Sequence, residues 1–459
     1  MLQMIIGRAG SGKTEYIFNS IKNQVEQGDE SILLITPEQF SFISERRLLT
    51  DLGEDKVNCV ENGSFSRLSS DIAKKYGSFT LPMLSKGAKA VLFKKACDSC
   101  KDELKLFSKN VNNNAFISSA VRIYDEMKAC RVSYDDIISA STNADKVILS
   151  EKLHDIALIM SEYDNLIKDK YTDPAEELTY LYEKLLTLDY FKGRTVYIDG
   201  FSGFVAQEYK IIEVILKQAK SVYITFCSDS PSNNDEYDLF SYVNSNIEIL
   251  TGVAKKENVK ILPPVYLTEN HRAKNDELRS LEKNMYFIKT PYEKEVKNIS
   301  IYRAKSIVDE CNYVSSEISK LMRQGINPSD ITVICRDLDK YQRELQFSFS
   351  KYNIPYFDDE RQSISSQPCV MFINFLFRVC AYYFRSDDIF SLLKTGLTAL
   401  DTENISTLEN YAFMWNINGT KWKSSFTEST RGFVDKISDS DKKALDEINK
   451  HRDYVISRL

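Results

Sequence analysis

The feature that most constrains the fold is a glycine-rich loop near the start of the sequence. Met1–Ile6 is a short apolar run, and the next eight residues fit the pattern G-x-x-x-x-G-K-[ST]. Ile17, Ile21 and Val25 then recur at helical spacing. An apolar strand, this loop and an amphipathic helix predict a phosphate-binding loop at a helix N-terminus. The residues expected to bind the nucleotide are Gly7, Arg8, Ala9, Gly10, Ser11, Gly12, Lys13 and Thr14.

Each part of this loop has its own chemical role. Glycines let the backbone turn tightly and aim successive N–H groups at phosphates. Lys13 adds a positive charge, and the Thr14 hydroxyl is expected on Mg²⁺. The apolar strand Thr195–Ile198 ends at Asp199, the position of the Walker B aspartate that orders Mg²⁺. The sequence therefore predicts ATP and Mg²⁺ as cofactors.

The residue that follows this aspartate argues against rapid ATP hydrolysis. Hydrolysing enzymes of this kind usually carry a carboxylate there to activate water, and this sequence has Gly200. Glu208 is an alternative base, although we interpret it as a surface residue of the following helix. We therefore expect weak or absent turnover and assign no catalytic residue.

Composition narrows the class of protein. A length of 459 residues predicts two to four domains, and 60 basic against 66 acidic residues exclude a small basic DNA-coating protein. Nine cysteines without a disulfide framework fit a reducing cytoplasm. The sequence has no apolar run of about 18 residues, so we expect no membrane span. We interpret the pair Cys97 and Cys100 as structural rather than as a metal or redox site.

Strand and helix patterns divide the chain into four parts. Residues 1–85 and 189–290 carry the loop and the buried-type strands, which predicts a first α/β domain. Residues 86–188 show helical spacing and predict a helical insertion. The α/β pattern restarts in residues 291–368, and residues 369–459 are helical.

Two strands are predicted in the second α/β part, at Ile299–Tyr302 and Ile331–Cys335. The aromatic stripe that follows Pro368 is predicted as core rather than as a stacking platform; it comprises Phe372, Phe375, Phe377, Tyr382, Tyr383 and Phe384. The lysines of the insertion are predicted as a solvated helix face rather than a DNA-facing surface; they are Lys86, Lys89, Lys94, Lys95, Lys101, Lys105 and Lys109.

Two short segments follow strands of the first domain. Pro37–Phe40 leaves the carboxyl end of a strand, where ligands lie in open α/β sheets. Gly63–Leu68 contains small residues, an aromatic and an arginine, which suit a loop that contacts phosphate or bases. Ser64 or Ser66 could equally be the N-cap of the next helix. The sequence leaves these two interpretations open.

The order of these parts resembles superfamily 1 helicases of the UvrD/RecB type. Closer details resemble one family, the B subunits of the AddAB helicase–nucleases. The segments that carry this resemblance are GRAGSGKT, LLITPEQFSF, GSFSRL, KLHDIALIMSEY, VYIDGFSGF and LLKTGL. The resemblance spans essentially the whole chain. It implies two RecA-like P-loop domains with helical insertions, in which residues 86–188 are a 1B-like insertion and residues 369–459 begin a truncated 2B-like insertion.

The resemblance also implies roles for particular residues. Arg272, in a segment similar to the helicase motif N-Y-R-S, would approach the γ-phosphate. Four residues fall in segments that contact single-stranded DNA in such helicases, namely Gln39, Phe40, Phe65 and Arg67. The nuclease domain and the four-cysteine iron–sulfur site of the family belong to a C-terminal part outside this stretch. None of the nine cysteines is therefore assigned to a cluster.

Three functional hypotheses follow. The first is a helicase-like, ATP-binding subunit of a helicase–nuclease that processes double-strand breaks for recombinational repair. It would form a heterodimer with an AddA-type motor and nuclease subunit, and would scan DNA for a recombination hotspot sequence without being the motor. The second is an active superfamily 1 motor ATPase. The third is a DNA-binding module whose phosphate loop is a relic.

Overall fold

The structure is a computed structural model that contains two compact units, Met1–Ile301 and Tyr302–Leu459. The residues that it describes are 1–77, 81–229, 238–286, 291–358, 363–433 and 438–458.

The first unit is built on a six-stranded parallel sheet with the strand order β3-β2-β4-β5-β1-β6. The strands are β1 Leu2–Gly7, β2 Ile32–Ile35, β3 Val60–Gly63, β4 Thr195–Ile198, β5 Ser221–Phe226 and β6 Val265–Leu267. Parallel strands require crossover connections, and helices supply them here. This confirms the predicted α/β class.

Seventeen α-helices lie in the described part of the chain. Those of the first unit are α1 Lys13–Glu26, α2 Glu38–Leu52, α3 Phe65–Tyr76, α4 Lys86–Ser99, α5 Asn114–Ala129, α6 Tyr134–Thr142, α7 Val147–Ile167, α8 Glu177–Leu186, α9 Ala206–Gln218, α10 Ser241–Lys256 and α11 Asp276–Asn284. Those of the second unit are α12 Ile307–Arg323, α13 Leu338–Lys351, α14 Pro368–Ala381, α15 Ser386–Leu393, α16 Thr402–Met414 and α17 Asp439–Ile456.

Both faces of the sheet are covered, which explains the continuous apolar strands in the sequence. Successive side chains of a strand point to opposite faces. Val196 and Ile198 accordingly join one hydrophobic core, while Tyr197 between them joins the core on the other face. This double burial holds the carboxyl ends of the strands in fixed positions.

Helices α4 to α7 form a separate core around three aromatic rings. Phe93 stacks on Tyr163 with ring centroids 4.0 Å apart, and Tyr124 packs edge-on against both rings. Beside them, Lys89 Nζ lies 2.6 Å from carboxylate oxygens of both Asp125 and Asp173. The prediction that all the lysines of this region are solvated is therefore wrong for Lys89, whose charge is neutralised inside the core.

The cysteine pair of this region packs as apolar side chains. Burial raises the pKa of Cys97 to about 11 and that of Cys100 to about 12, so both thiols stay protonated at neutral pH. Metal binding and disulfide exchange require the thiolate. Among the described residues, no group of three or more His, Cys, Asp or Glu side chains is placed to hold a metal ion.

The two strands predicted after residue 298 are not formed. Neither Ile299–Tyr302 nor Ile331–Cys335 pairs with a neighbour, and Ile301 and Ile334 are 97% and 89% exposed. A strand requires a hydrogen-bonding partner. The described residues of the second unit include no strand that could supply one.

The aromatic stripe of α14 is only partly buried, so its prediction as core is wrong for several residues. Phe377, Tyr382 and Tyr383 are exposed, whereas Phe372 and Phe375 are half-buried. Val379 is the buried residue of this helix among those described. The apolar surface of α14 is therefore wider than the face that its neighbours cover. No described helix is long and apolar enough to span a bilayer.

The buried lysine of the insertion gives a stability prediction. Lys89→Met removes the cation and leaves the fully buried Asp173 carboxylate uncompensated, which should destabilise the insertion by about 3–5 kcal/mol. Urea unfolding followed by circular dichroism measures this loss. The matched control is Lys94→Met on the same helix, because Lys94 pairs with the half-exposed Asp98. The control should change stability by less than about 1 kcal/mol, and equal losses in the two variants would contradict the prediction.

Candidate nucleotide-binding site

The glycine-rich loop joins β1 to α1 at the carboxyl edge of the sheet. Gly10 and Gly12 have φ of +81° and +86°, which residues with side chains rarely adopt. Gly7 ends β1 in register with Leu267 of β6. A Cβ at Gly7 would lie 2.3 Å from Ser11 Oγ and 2.6 Å from the Leu267 carbonyl oxygen. The loop therefore requires glycine at all three positions.

Lys13 is the first residue of α1, and its ammonium lies inside the loop. Nζ donates to the carbonyl of Gly7 at 2.7 Å and to that of Arg8 at 2.9 Å. Burial lowers the pKa of Lys13; the charge of Asp199 raises it, and that of Arg272 lowers it. The structure thus brings Lys13, Asp199 and Arg272, which are far apart in the sequence, to one edge of the parallel sheet.

Asp199 is buried at the tip of β4. Its backbone N–H donates to the Ile35 carbonyl of β2 at 3.0 Å, and its Oδ1 accepts a hydrogen bond from Thr225 Oγ1 at 2.5 Å. The next residue, Gly200, has φ of +84°, and its N–H donates to Thr225 Oγ1 at 3.4 Å. The backbone at the expected glutamate position is thus in a conformation that disfavours any side chain.

Glu208, the alternative base, caps a helix. Its Oε2 accepts a hydrogen bond from the Val205 N–H at 2.9 Å, which closes the first turn of α9. Burial raises the pKa of this half-buried carboxyl group. Glu208 does lie on a helix, as predicted. Its side chain is half-buried, however, and not fully exposed at the surface.

The loop after β6 folds directly against the phosphate loop. Asn270 Oδ1 accepts hydrogen bonds from the N–H groups of Arg272 and Ala273 at 3.0 and 2.9 Å. The His271 N–H donates to the Gly10 carbonyl at 2.8 Å. A Cβ on Gly10 would lie 2.8 Å from Arg272 Cβ and 2.9 Å from Asn270 Oδ1. This close approach fixes where the Arg272 side chain starts.

Arg8 directs its guanidinium to protein carboxylates. Nε lies 2.8 Å from Glu282 Oε1, and Nη1 lies 3.3 Å from Asp229 Oδ2. The guanidinium also lies 5.5 Å from the centre of the Phe240 ring. Arg8 can therefore offer its backbone to an anion, while its side chain connects the loop to α11.

The candidate DNA residues of the first segment are accessible. Gln39 and Phe40 lie in the first turn of α2, and both are exposed, Phe40 to 43%. Phe40 is also close to the turn that follows β4, because a Cβ at Gly200 would lie 3.9 Å from its ring. This segment therefore lies beside Asp199 and Gly200, at the candidate nucleotide-binding site.

The second DNA segment is placed differently. Phe65 is 3% exposed and packs on Phe201 with ring centroids 5.6 Å apart, so its assignment as a DNA-stacking residue is contradicted by burial. Ser64 Oγ accepts from the Arg67 N–H at 3.2 Å, which identifies Ser64 as the N-cap of α3. The Arg67 side chain is half-exposed and pairs with Glu45 at 3.4 Å.

Sequence reasoning missed three residues that shape the site. Thr225 lies in a strand that reads as purely structural, and its hydroxyl binds Asp199. Asn270 precedes Arg272 in the same short segment, and this Asn-x-Arg spacing was an available signal. Glu282 lies 274 residues after its partner Arg8, and nothing local in the sequence indicates the pair.

Comparisons with known proteins agree with this architecture. A family model described as "ADDB, N-terminal" matches residues 4–282, and one described as "UvrD-like helicase C-terminal domain" matches residues 265–373. The second match fits the fold of a superfamily 1 helicase.

Several curated relatives, named as the B subunits of ATP-dependent helicase/deoxyribonucleases, align along the chain. The relative from Thermoanaerobacter sp. (strain X514) is 32% identical over 100% of this chain and 41% of its own length. Those from Clostridium novyi and Clostridium tetani are 31% and 34% identical over 95% and 92% of this chain, and 39% and 38% of their own lengths. The chain thus spans about two fifths of the relatives that it matches. It belongs to the AddB family of helicase/deoxyribonuclease B subunits.

Proposed function

We propose that this chain is the helicase-like region of a B subunit that binds ATP and single-stranded DNA during the processing of double-strand breaks for recombinational repair. The observation that carries the proposal is the convergence of the phosphate loop, Asp199 and Arg272 at one sheet edge. In an open α/β sheet this edge is where ligands bind.

The residues at this edge fit a nucleoside triphosphate. Ser11 Oγ is buried in the loop without a hydrogen-bond partner among the described residues. Lys13 has three donors, and two backbone carbonyls take two of them. Thr14 and Asp199 would hold Mg²⁺, and Arg272 would approach the γ-phosphate. When bound, the ion would neutralise phosphate charge.

The site supports nucleotide holding better than rapid turnover. Gly200 cannot carry a base, and its positive φ is built into the turn after β4. Glu208 is committed to capping α9. We therefore favour a scaffold that scans DNA for a hotspot sequence over an active motor. A relic loop, the third hypothesis, is also less favoured than the scaffold, because Lys13 and Thr14 are both retained.

The remaining parts of the proposal concern organisation and partners. We propose a cytoplasmic heterodimer with an AddA-type motor and nuclease subunit, acting on single strands that derive from duplex ends. Residues 1–85 and 189–290 would be the first RecA-like domain, and residues 86–188 its 1B-like insertion. Residues 291–368 would begin the second RecA-like domain, and residues 369–459 a 2B-like insertion. An iron–sulfur cluster is expected outside this stretch of sequence.

The first prediction concerns Lys13. Lys13→Ala should weaken ATP binding by about 10- to 100-fold, because it removes a charge-assisted hydrogen bond to phosphate. Calorimetric titration with Mg²⁺ and ATP measures this effect. Lys22→Ala is the control, since Lys22 is exposed on the same helix. DNA-stimulated hydrolysis at about 1–100 s⁻¹ would instead support a motor, and a wild-type chain without ATP affinity would support a relic loop.

The second prediction tests whether the close packing of the Asn270 turn against Gly10 matters for nucleotide binding, beyond the strain of a side chain at positive φ. Gly10→Ala and Gly28→Ala both place a Cβ at positive φ, at +81° and +90°. Alanine at position 10 also collides with Asn270 and Arg272, whereas a Cβ at Gly28 meets no described atom within 4 Å. Nucleotide titration should show at least about tenfold weaker binding for Gly10→Ala and unchanged binding for Gly28→Ala. Equal affinities would contradict this arrangement.

The third prediction distinguishes the two DNA segments. Phe40→Ala should weaken binding to an oligothymidine by about 5- to 150-fold, since stacking on an exposed ring contributes about 1–3 kcal/mol. Fluorescence anisotropy at fixed salt measures it, with the exposed Phe347→Ala of α13 as control. Phe65→Ala should chiefly lower stability, by about 3–5 kcal/mol. Unchanged affinity in Phe40→Ala would remove Phe40 from the DNA surface.

A further inference from the structure

Helix α11 contacts the phosphate loop and also the stretch 291–301, which we call the connecting segment because it precedes the second unit in the sequence. Three sets of contacts make these connections. Together these contacts link the phosphate loop to the connecting segment through one helix. The α11 side chains that make them are not among the residues expected to bind phosphate.

The first contact joins α11 to the phosphate loop itself. Arg8 Nε lies 2.8 Å from Glu282 Oε1, and Arg8 Nη2 donates to the Glu282 carbonyl at 2.8 Å. Asp229, after β5, holds the other side of the guanidinium at 3.3 Å. Arg8 thus binds both the carboxylate and the backbone carbonyl of Glu282. These two bonds fix the last turn of α11 relative to the loop.

The second contact joins the first half of α11 to the turn on Gly10. The Arg279 Nε donates to the Ala273 carbonyl at 2.9 Å. Ala273 is the residue whose N–H binds Asn270 Oδ1. Because the Asn270 turn lies directly against Gly10, it connects α11 to the phosphate loop. Both halves of α11 are therefore tied to the loop.

The third contact holds the connecting segment. Glu277 is buried, and its carboxylate accepts from the backbone N–H groups of Lys297 and Asn298 at 2.9 and 2.7 Å. The side chain of Asn298 adds a further hydrogen bond at 3.1 Å. These bonds hold the pKa of Glu277 below its usual value, so the carboxylate is charged at neutral pH.

We propose that α11 couples nucleotide occupancy of the phosphate loop to the order of the connecting segment. This inference rests on the proposed binding of ATP. A bound triphosphate orders the backbone of residues 8–14, which carries both Arg8 and Gly10. Ordering these residues stabilises the arrangement in which α11 makes the three sets of contacts described above. The amides of Lys297 and Asn298 open less often in consequence.

Hydrogen exchange followed by mass spectrometry tests this coupling in the full chain. A non-hydrolysable ATP analogue with Mg²⁺ should slow exchange at residues 294–301 by about threefold or more. Peptides of α13 in the second unit are the internal reference and should not change. Nucleotide affinity is measured on the same sample by calorimetry.

Two variants locate the coupling. Glu282→Gln removes the ion pair with Arg8, whereas the bond from Arg8 to the Glu282 carbonyl and the Arg279 contact remain. Compared at equal saturation with the analogue, this variant should therefore show clearly less slowing of exchange at residues 294–301 than the wild-type chain. Glu277→Gln should raise exchange at Lys297 and Asn298 even without nucleotide, because an amide has one acceptor oxygen where the carboxylate uses two. The matched control is Glu409→Gln, which breaks the pair with Lys394 at 2.6 Å in the second unit.

The outcomes separate the two levels of the proposal. Binding of the analogue without slower exchange at residues 294–301 would overturn the coupling and leave the nucleotide site intact. Absence of binding in the wild-type chain would overturn both. A response of full wild-type size in Glu282→Gln would show that the ion pair of Arg8 and Glu282 does not transmit it, and this would also overturn the proposal.

Discussion

The register of β1 between β5 and β6 is the constraint on which the candidate site depends. Ile6 pairs with Phe226, and Gly7 pairs with Leu267, so the loops that follow these strands leave the sheet at the same level. Burial of both sheet faces prevents any slip, since a shift of one residue would turn every side chain to the wrong core. Lys13, Asp199 and the Asn270 turn meet because of this register.

The parts of the site that could be predicted are those encoded by adjacent residues. Strand, glycine loop and helix succeed one another within 26 residues, and an aspartate at the tip of an apolar strand is equally local. The pairs Arg8–Glu282 and Gly10–Asn270 span more than 250 residues, and strand register alone brings them together. The sequence resemblance indicated Arg272, but not the turn that fixes it.

Other errors share one physical origin. Apolar spacing shows that a segment has a face to bury, but it does not identify the partner that covers it. Phe65 was predicted to contact DNA, but its ring packs against Phe201 in the core. The predicted strand Ile331–Cys335 has no neighbouring strand among the described residues of the second unit, and several aromatics of the stripe that starts in α14 stay exposed. Lys89 is the opposite case. It was predicted to face solvent, but it is buried because Asp125 and Asp173 pair with its charge.

The left-handed turn at Gly200 makes a hydrolytic base difficult to introduce at this position. A glutamate there would have to tolerate φ near +84°, at a cost of about 1–2 kcal/mol, or rotate the peptide and break its bond to Thr225. Turnover by a base at this position would thus require several coordinated substitutions. Under the proposed function, the triphosphate would be a long-lived structural part of the protein rather than a fuel, and its exchange rate would set how long one conformation persists.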